Sequence, residues 1–151
     1  MNIEQCLEQG LLVKAKAELE KAKSSIEMAR HKLELAEAEF DHGLFESAVI
    51  SSYASMFHSA RALLFKDGFK ERSHFAVYVY VNEEYSARLE RKYLNEFNSL
   101  RLQRHELMYG LERNAEVQES SADTTIKMAK GFLEAVKKML QENNSKRKKT
   151  I

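Results

Sequence analysis

Leu44-Phe45-Glu46-Ser47-Ala48-Val49-Ile50-Ser51-Ser52-Tyr53-Ala54-Ser55-Met56-Phe57-His58-Ser59-Ala60-Arg61-Ala62-Leu63-Leu64 is the stretch that decides the fold. Val49, Tyr53, Met56, Ala60 and Leu63 recur at steps of four and three, which lines them up on one face of a helix with a period of about 3.6 residues. Ile50, Phe57 and Leu64 fill the neighbouring stripe at steps of seven. Ser47, Ala48, Ser51, Ser52, Ala54, Ser55 and Ser59 leave the rest of the surface small. Other helices can approach such a helix closely on several sides, so it is expected to be the central element of a bundle.

Upstream, Leu12, Ala15, Leu19, Ala22, Ile26, Ala29, Leu33, Ala36 and Phe40 alternate steps of three and four, a heptad seam flanked by Lys, Glu and Arg. Because more amphipathic segments follow in the same chain, the seam is read as a long bundle helix rather than as a coiled coil. Asp41-His42-Gly43 ends it, with Gly43 as a C-terminal stop. Downstream, the central helix stops at Asp67-Gly68, and Ser73 is placed to cap a short helix from His74 to Glu84. Val77-Tyr78-Val79-Tyr80-Val81 has strand propensity, but a lone strand has no partner in a helical chain, so the segment is assigned to that helix. A fourth helix from about Ser86 carries Leu89, Tyr93, Phe97, Leu100, Leu107 and Leu111 on one stripe, and Gly110 and Asn114 weaken its end. The last, from about Ser120 to Asn143, shows Ala122, Ile126, Ala129, Leu133, Val136 and Leu140 at steps of four and three.

Composition agrees with this reading. Pro is absent from the 151 residues, and Ala, Glu, Lys and Leu dominate, which favours an all-α chain. The expectation is a single antiparallel up-and-down bundle of about five helices over residues 1–143, followed by a disordered basic tail over 144–151. No window holds 18 uninterrupted apolar residues, and the N-terminus lacks a basic region leading into an apolar run. No membrane association and a cytoplasmic location are therefore expected. The single Cys6 cannot form an internal disulfide, and no His, Cys or carboxylate set has metal-site spacing, so neither metal nor cofactor is expected. Lys146, Arg147, Lys148 and Lys149 contribute four positive charges to a net charge of +1, which leaves residues 1–145 at −3. A body of that charge is not built as a broad positive face for duplex nucleic acid.

Chemistry concentrates in Arg101-Leu102-Gln103-Arg104-His105-Glu106-Leu107-Met108-Tyr109. Arg104 falls on the apolar stripe between Leu100 and Leu107, where a charge is costly unless it is paired or faces a cleft. Arg101 and His105 are four residues apart beside it. Guanidinium forks bind phosphate in bidentate fashion and imidazole exchanges protons near neutral pH, so Arg101, Arg104 and His105 are candidates for phosphate binding or acid–base work. The alternative is structural: Arg104 pairs with a Glu on a facing helix or lies at a dimer interface. Tyr53 and Tyr109 are candidates for stacking on a base, although Tyr53 sits on the core stripe. His58, beside Phe57, is read as a hydrogen-bonded packing residue, and His31 and His42 as solvated. Glu83-Glu84 is read as an exposed helix end and Lys146–Lys149 as a solubilising extension.

Ser51-Ser52-Tyr53-Ala54-Ser55-Met56-Phe57-His58-Ser59-Ala60-Arg61-Ala62-Leu63-Leu64, followed by Ser73-His74-Phe75-Ala76-Val77, resembles the HEPN (higher eukaryotes and prokaryotes nucleotide-binding) family, in its branch of small stand-alone prokaryotic proteins. The resemblance runs from Leu12 to Gln141 and is strongest over 40–80. It implies a helical bundle, a homodimer, and nucleotide or RNA binding at the fourth helix. Ribonuclease members carry Arg, four to six residues and then His on that helix, at the centre of the dimer. In some toxin–antitoxin pairs a partner nucleotidyltransferase modifies a Tyr two residues after the His. By that pattern Tyr109 matches the Tyr, Arg101 matches the Arg, and Leu107 stands where the His should be. His105 does not restore the motif, because two residues at roughly 100° each rotate its side chain about 200° from position 107. His74 matches a His frequent in this branch, where it helps fix the loop.

Three functions follow as alternatives. The first is a non-catalytic or weakly active dimer that binds a nucleotide, RNA or a partner such as a nucleotidyltransferase. The second is a toxin-like, metal-independent ribonuclease using Arg101, Arg104 and His105. The third is a purely structural helical scaffold.

Overall fold

The computed structural model describes residues 1–111 and 116–149, with side chains described up to residue 142. Helix α1 (Ile3–Glu8) leads into a short strand β1 (Leu12–Lys14). Two long helices follow, α2 (Leu19–Asp41) and α3 (Phe45–Asp67), then strand β2 (Phe69–Glu71) and helices α4 (His74–Glu84), α5 (Arg91–Tyr109) and α6 (Glu119–Lys149). The molecule is all-α in class, carrying one short two-stranded ribbon.

Helix α3 is the central element, as its two apolar stripes and small residues require. It packs most extensively on α2 and also touches α4, α5, α6 and β2. Val49, Tyr53, Met56, Ala60, Leu63 and Leu64 are all buried to 1% exposure or less. Its serines allow close approach without orphaning a hydroxyl. Ser52 and Ser59 donate back to the Ala48 and Ser55 carbonyls, at 2.8 and 2.9 Å. Ser55 donates across to Ala29 O of α2 at 2.7 Å, and Ser25 of α2 donates to His58 O of α3 at 2.7 Å. Ala22, Ala29 and Ala36 supply the small α2 surface for this contact, each at 0% exposure.

The seam expected to begin at Leu12 enters its helix only at Leu19. Leu12 instead lies in β1, which pairs antiparallel with β2 in the register Leu12↔Glu71, Val13↔Lys70 and Lys14↔Phe69. The chain continues along α3's end, with Ala15 N bonding Gly68 O and Glu18 N bonding Phe65 O, both at 2.9 Å. Backbone pairing with a segment over fifty residues away overrides the local helical spacing of Leu12 and Ala15. Gly68 makes the crossing possible: it ends α3 at φ 85°, and a Cβ there would lie 2.9 Å from Ala15 O.

With α1 and the ribbon, the described residues hold six helices rather than about five. Val77–Val81 is helical, and Ala76, Val77, Val79, Tyr80 and Val81 are buried. Ser73 caps α4 by accepting from Ala76 N at 3.0 Å. Tyr80 and Tyr85 lock the far end of α4 onto α3, both donating to Asp67 Oδ2 at 2.7 and 2.6 Å, while Lys66 Nζ lies 3.0 Å from Oδ1.

Helix α5 begins at Arg91 rather than Ser86, so Leu89 is buried ahead of it. It ends at Tyr109, and Leu111 is fully exposed instead of extending the stripe. All six α6 residues expected to be apolar contacts are buried. That helix runs on to Lys149, past the expected end at Asn143. The reading of 144–151 as a disordered tail lies outside the residues described with side chains, and Asn114 lies outside the described residues altogether.

Candidate functional site

Helix α5 is anchored by Leu94, Phe97 and Leu100, which are buried against the body of the bundle. One turn beyond Leu100 the buried pattern stops, and Arg104 takes the next place on that stripe. Phe97 stacks on Tyr53 of α3 at 5.7 Å between centroids and on Phe132 of α6 at 5.9 Å, so the root of the segment is fixed by aromatic packing from two helices.

Arg101 and Arg104 are both half-buried. Arg101 donates from Nε and Nη2 to Asn98 Oδ1, at 3.3 and 3.0 Å, and its guanidinium lies 5.1 Å over the Phe75 ring of α4. The Arg104 guanidinium lies 5.9 Å from the ring centres of both Tyr53 and Tyr109. Among the described residues no carboxylate pairs with either one. By contrast, Arg61 on the same bundle meets Glu71 Oε1 at 2.7 Å. Aromatic rings, joined at Arg101 by the Asn98 amide oxygen, therefore hold the two α5 guanidiniums in place, and no described carboxylate compensates their charge. Each such contact contributes about 0.5–1 kcal/mol and consumes none of the planar donor fork.

Behind the arginines sits a pair that sequence reading did not join. The Tyr53 hydroxyl lies 2.8 Å from His74 Nδ1. His74 stacks on Phe57 with centroids 4.3 Å apart and an interplanar angle of 23°. Burial first, then the Arg104 and Arg101 charges, push the imidazole below its usual value, so His74 is neutral at neutral pH. Burial also pushes the Tyr53 phenol well above its ordinary value, with Arg104 and Arg101 acting in the opposite sense, so the O–H stays intact. The tyrosine and histidine are 21 residues apart on different helices, and the sequence cues were a stripe tyrosine and a helix-start histidine that the resemblance assigned to fixing the loop.

The remaining candidates fall elsewhere. His105 is exposed, its ring 5.2 Å from that of Tyr109, and it does not join the Arg101–Arg104–His74 group. Tyr109 is 58% exposed at the end of α5. Tyr53, at 1% exposure, is a core residue with only its hydroxyl engaged in polar contact. Leu107 is half-buried and offers no proton-transferring group. The His58 ring packs edge-on to Phe57 at 5.6 Å and makes no side-chain hydrogen bond among the described residues, contrary to its expected role. Burial, followed by Arg61, Lys32 and His74, lowers its pKa to about 4. Among the described residues no group of three or more His, Cys, Asp or Glu is placed to hold a metal ion. No helix among them is long and apolar enough to cross a membrane.

Comparison with curated proteins gives no match. A family model does match, that of the HEPN domain, and it covers residues 22–139. That span takes in nearly all of α2, the whole of α3, β2, α4 and α5, and α6 as far as Met139, so both the arginine face and the Tyr53–His74 pair lie within it: the chain belongs to the HEPN domain family.

Proposed function

We propose that this protein is a non-catalytic or weakly active HEPN homodimer whose α5 face binds the phosphate of a nucleotide or of RNA. One observation carries the reading. Arg101 and Arg104 stand half-exposed on adjacent turns, propped on aromatic rings, with no carboxylate partner among the described residues. An unneutralised guanidinium pair at the edge of a core is costly unless an anion or a partner surface completes it. A phosphate completes it best, because it accepts bidentate bonds from both forks. Exposed Leu102 and Met108 on the same helix add apolar surface for a second copy to cover. Weak or absent catalysis follows from Leu107, since a leucine at the position of the family histidine can move no proton.

Tyr109 supports a second reading. It is exposed at the end of α5, at the position where the family pattern puts the tyrosine modified by a nucleotidyltransferase partner. In that reading the protein is one half of a toxin–antitoxin pair.

The test measures binding of a short fluorescein-labelled single-stranded RNA and of 5′-AMP to wild type, Arg101→Leu and Arg104→Leu, with melting temperature and solution mass measured in parallel. Each substitution is expected to weaken binding roughly tenfold or more while leaving the fold and the dimer intact. Unchanged binding with a lowered melting temperature makes the arginines structural and contradicts the proposal. Transfer of a labelled nucleotide to Tyr109 by a co-purifying enzyme, lost in Tyr109→Phe, would establish the second reading.

A further inference from the structure

The two guanidiniums supply charge, but both sit on one helix and approach a ligand from one side. A phosphate held in a defined orientation needs a donor from a second element, and His74 at the start of α4 is placed to provide it. The Arg104 guanidinium lies 5.9 Å from the ring centre of Tyr53, whose hydroxyl is 2.8 Å from His74 Nδ1, and the Arg101 guanidinium lies 5.1 Å over the ring of Phe75, the residue after His74. The proton position on His74 follows from hydrogen-bond accounting. Tyr53 is 1% exposed, and His74 Nδ1 is the only hydrogen-bond partner of its hydroxyl among the described residues. A buried O–H left without an acceptor costs about 1–3 kcal/mol, so the phenol donates and Nδ1 accepts. A neutral imidazole that accepts at Nδ1 carries its single proton on Nε2. Nε2 has no partner among the described residues and is not sealed from solvent, so that N–H is free to meet a ligand. Phe57 stacked on the ring face at 4.3 Å holds the plane that aims it.

We propose that His74 is a phosphate-binding residue, its Nε2–H completing with Arg101 and Arg104 a three-donor site for a nucleotide phosphate. Buried Tyr53 is the positioning residue that fixes the tautomer. The inference rests on the α5 phosphate reading above and adds a neutral donor from α4 to it. The shared ligand chemistry is a phosphate ester; a terminal monoester and an internal diester differ in source.

Two measurements test it. Long-range nitrogen–proton NMR correlations on the intact wild-type protein report the tautomer without any substitution. The expected pattern is a bare Nδ1 carrying the shift of a hydrogen-bond acceptor and a protonated Nε2 at neutral pH, with the Nδ1 shift lost and the tautomer ratio relaxed towards that of free imidazole in Tyr53→Phe. Binding of 5′-AMP (a monoester) and of a short single-stranded RNA lacking terminal phosphates (diesters only) is then compared in His74→Gln and His74→Asn. Glutamine places an amide donor where Nε2 lies, whereas asparagine reaches only the Nδ1 position. His74→Gln should stay within about threefold of wild type and His74→Asn should lose about tenfold, for whichever probe the site takes. A protonated Nδ1, or equal binding by the Gln and Asn variants while Arg104→Leu remains weakened, overturns the role of His74 and leaves the arginine site standing. Failure of wild type to bind either probe overturns both.

Discussion

Gly131 shows how tightly single residues are determined here. It lies inside α6, where glycine ordinarily costs a helix about 1 kcal/mol relative to alanine. A Cβ at this position would sit 2.2 Å from the Tyr93 hydroxyl oxygen and 2.8 Å from its ring carbon Cζ. Gly131→Ala should therefore destabilise the protein by about 1–3 kcal/mol despite the better helix propensity, and Tyr93→Leu should relieve most of that loss. Urea unfolding of the two single variants and the double variant checks this; additivity would contradict it. His58 gives a second residue-scale outcome. Its folded pKa of about 4 lies below the ordinary histidine value of about 6.5, so the unfolded chain takes up a proton first as pH falls. Stability should decline from about pH 6.5 towards 4, by on the order of 2 kcal/mol, and His58→Gln should remove that part of the acid sensitivity. Denaturant midpoints measured across this range, equal in slope for both proteins, would contradict it. At this scale the site was half legible in sequence. Arg104 stood out because a charge interrupted an apolar stripe. Its aromatic supports and the Tyr53–His74 bond did not, because they join residues that only the packing of α3, α4 and α5 brings together.

Elements with their own period could be read directly. The stripes of α3 and α6 are long, and the main stripe of each is buried, whereas Ile50 and Phe57 on the second stripe of α3 are only half-buried and Ser51, Ser52, Ser55 and Ser59 are buried beside it. Strands β1 and β2 are three residues each, too short for alternation to register, and their pairing is settled by where the chain enters and leaves α3. The junction of α3 with α4 makes its own prediction. Tyr80 and Tyr85 both donate to Asp67, and burial and that bond push both phenols far above the ordinary tyrosine value, as burial does for Tyr53. Raised folded values mean that stability is complete below the ordinary tyrosine pKa of about 10 and is lost as pH rises beyond it, because only the unfolded chain ionises there. In a variant with Tyr78, Tyr93 and Tyr109 replaced by Phe, so that only the three buried phenols report, the rise of tyrosinate absorbance should thus coincide with loss of helical circular dichroism. Tyrosinate appearing well before helix loss would contradict the burial of these hydroxyls. Asp67→Asn should move that transition to lower pH.

At the scale of the whole molecule, the bundle buries its apolar helix faces, and among the described residues Arg101 and Arg104 near the end of α5 have no carboxylate partner. Residues 1–145 carry −3, so the body of the bundle offers no global attractive field, and on this account the α5 face supplies its attraction to a nucleic acid. Affinity should accordingly be modest and depend on few phosphates. It should also require the dimer if two copies of α5 together form the cleft; a monomeric variant that retains full affinity would show that one face suffices. The most direct measurement is the affinity for single-stranded RNA as a function of salt, in wild type and in Arg101→Leu and Arg104→Leu. The slope of log affinity against log salt should fall by roughly 0.7 for each arginine–phosphate contact removed. Slopes that stay the same while affinity also stays the same would contradict the claim that the α5 arginines hold phosphate.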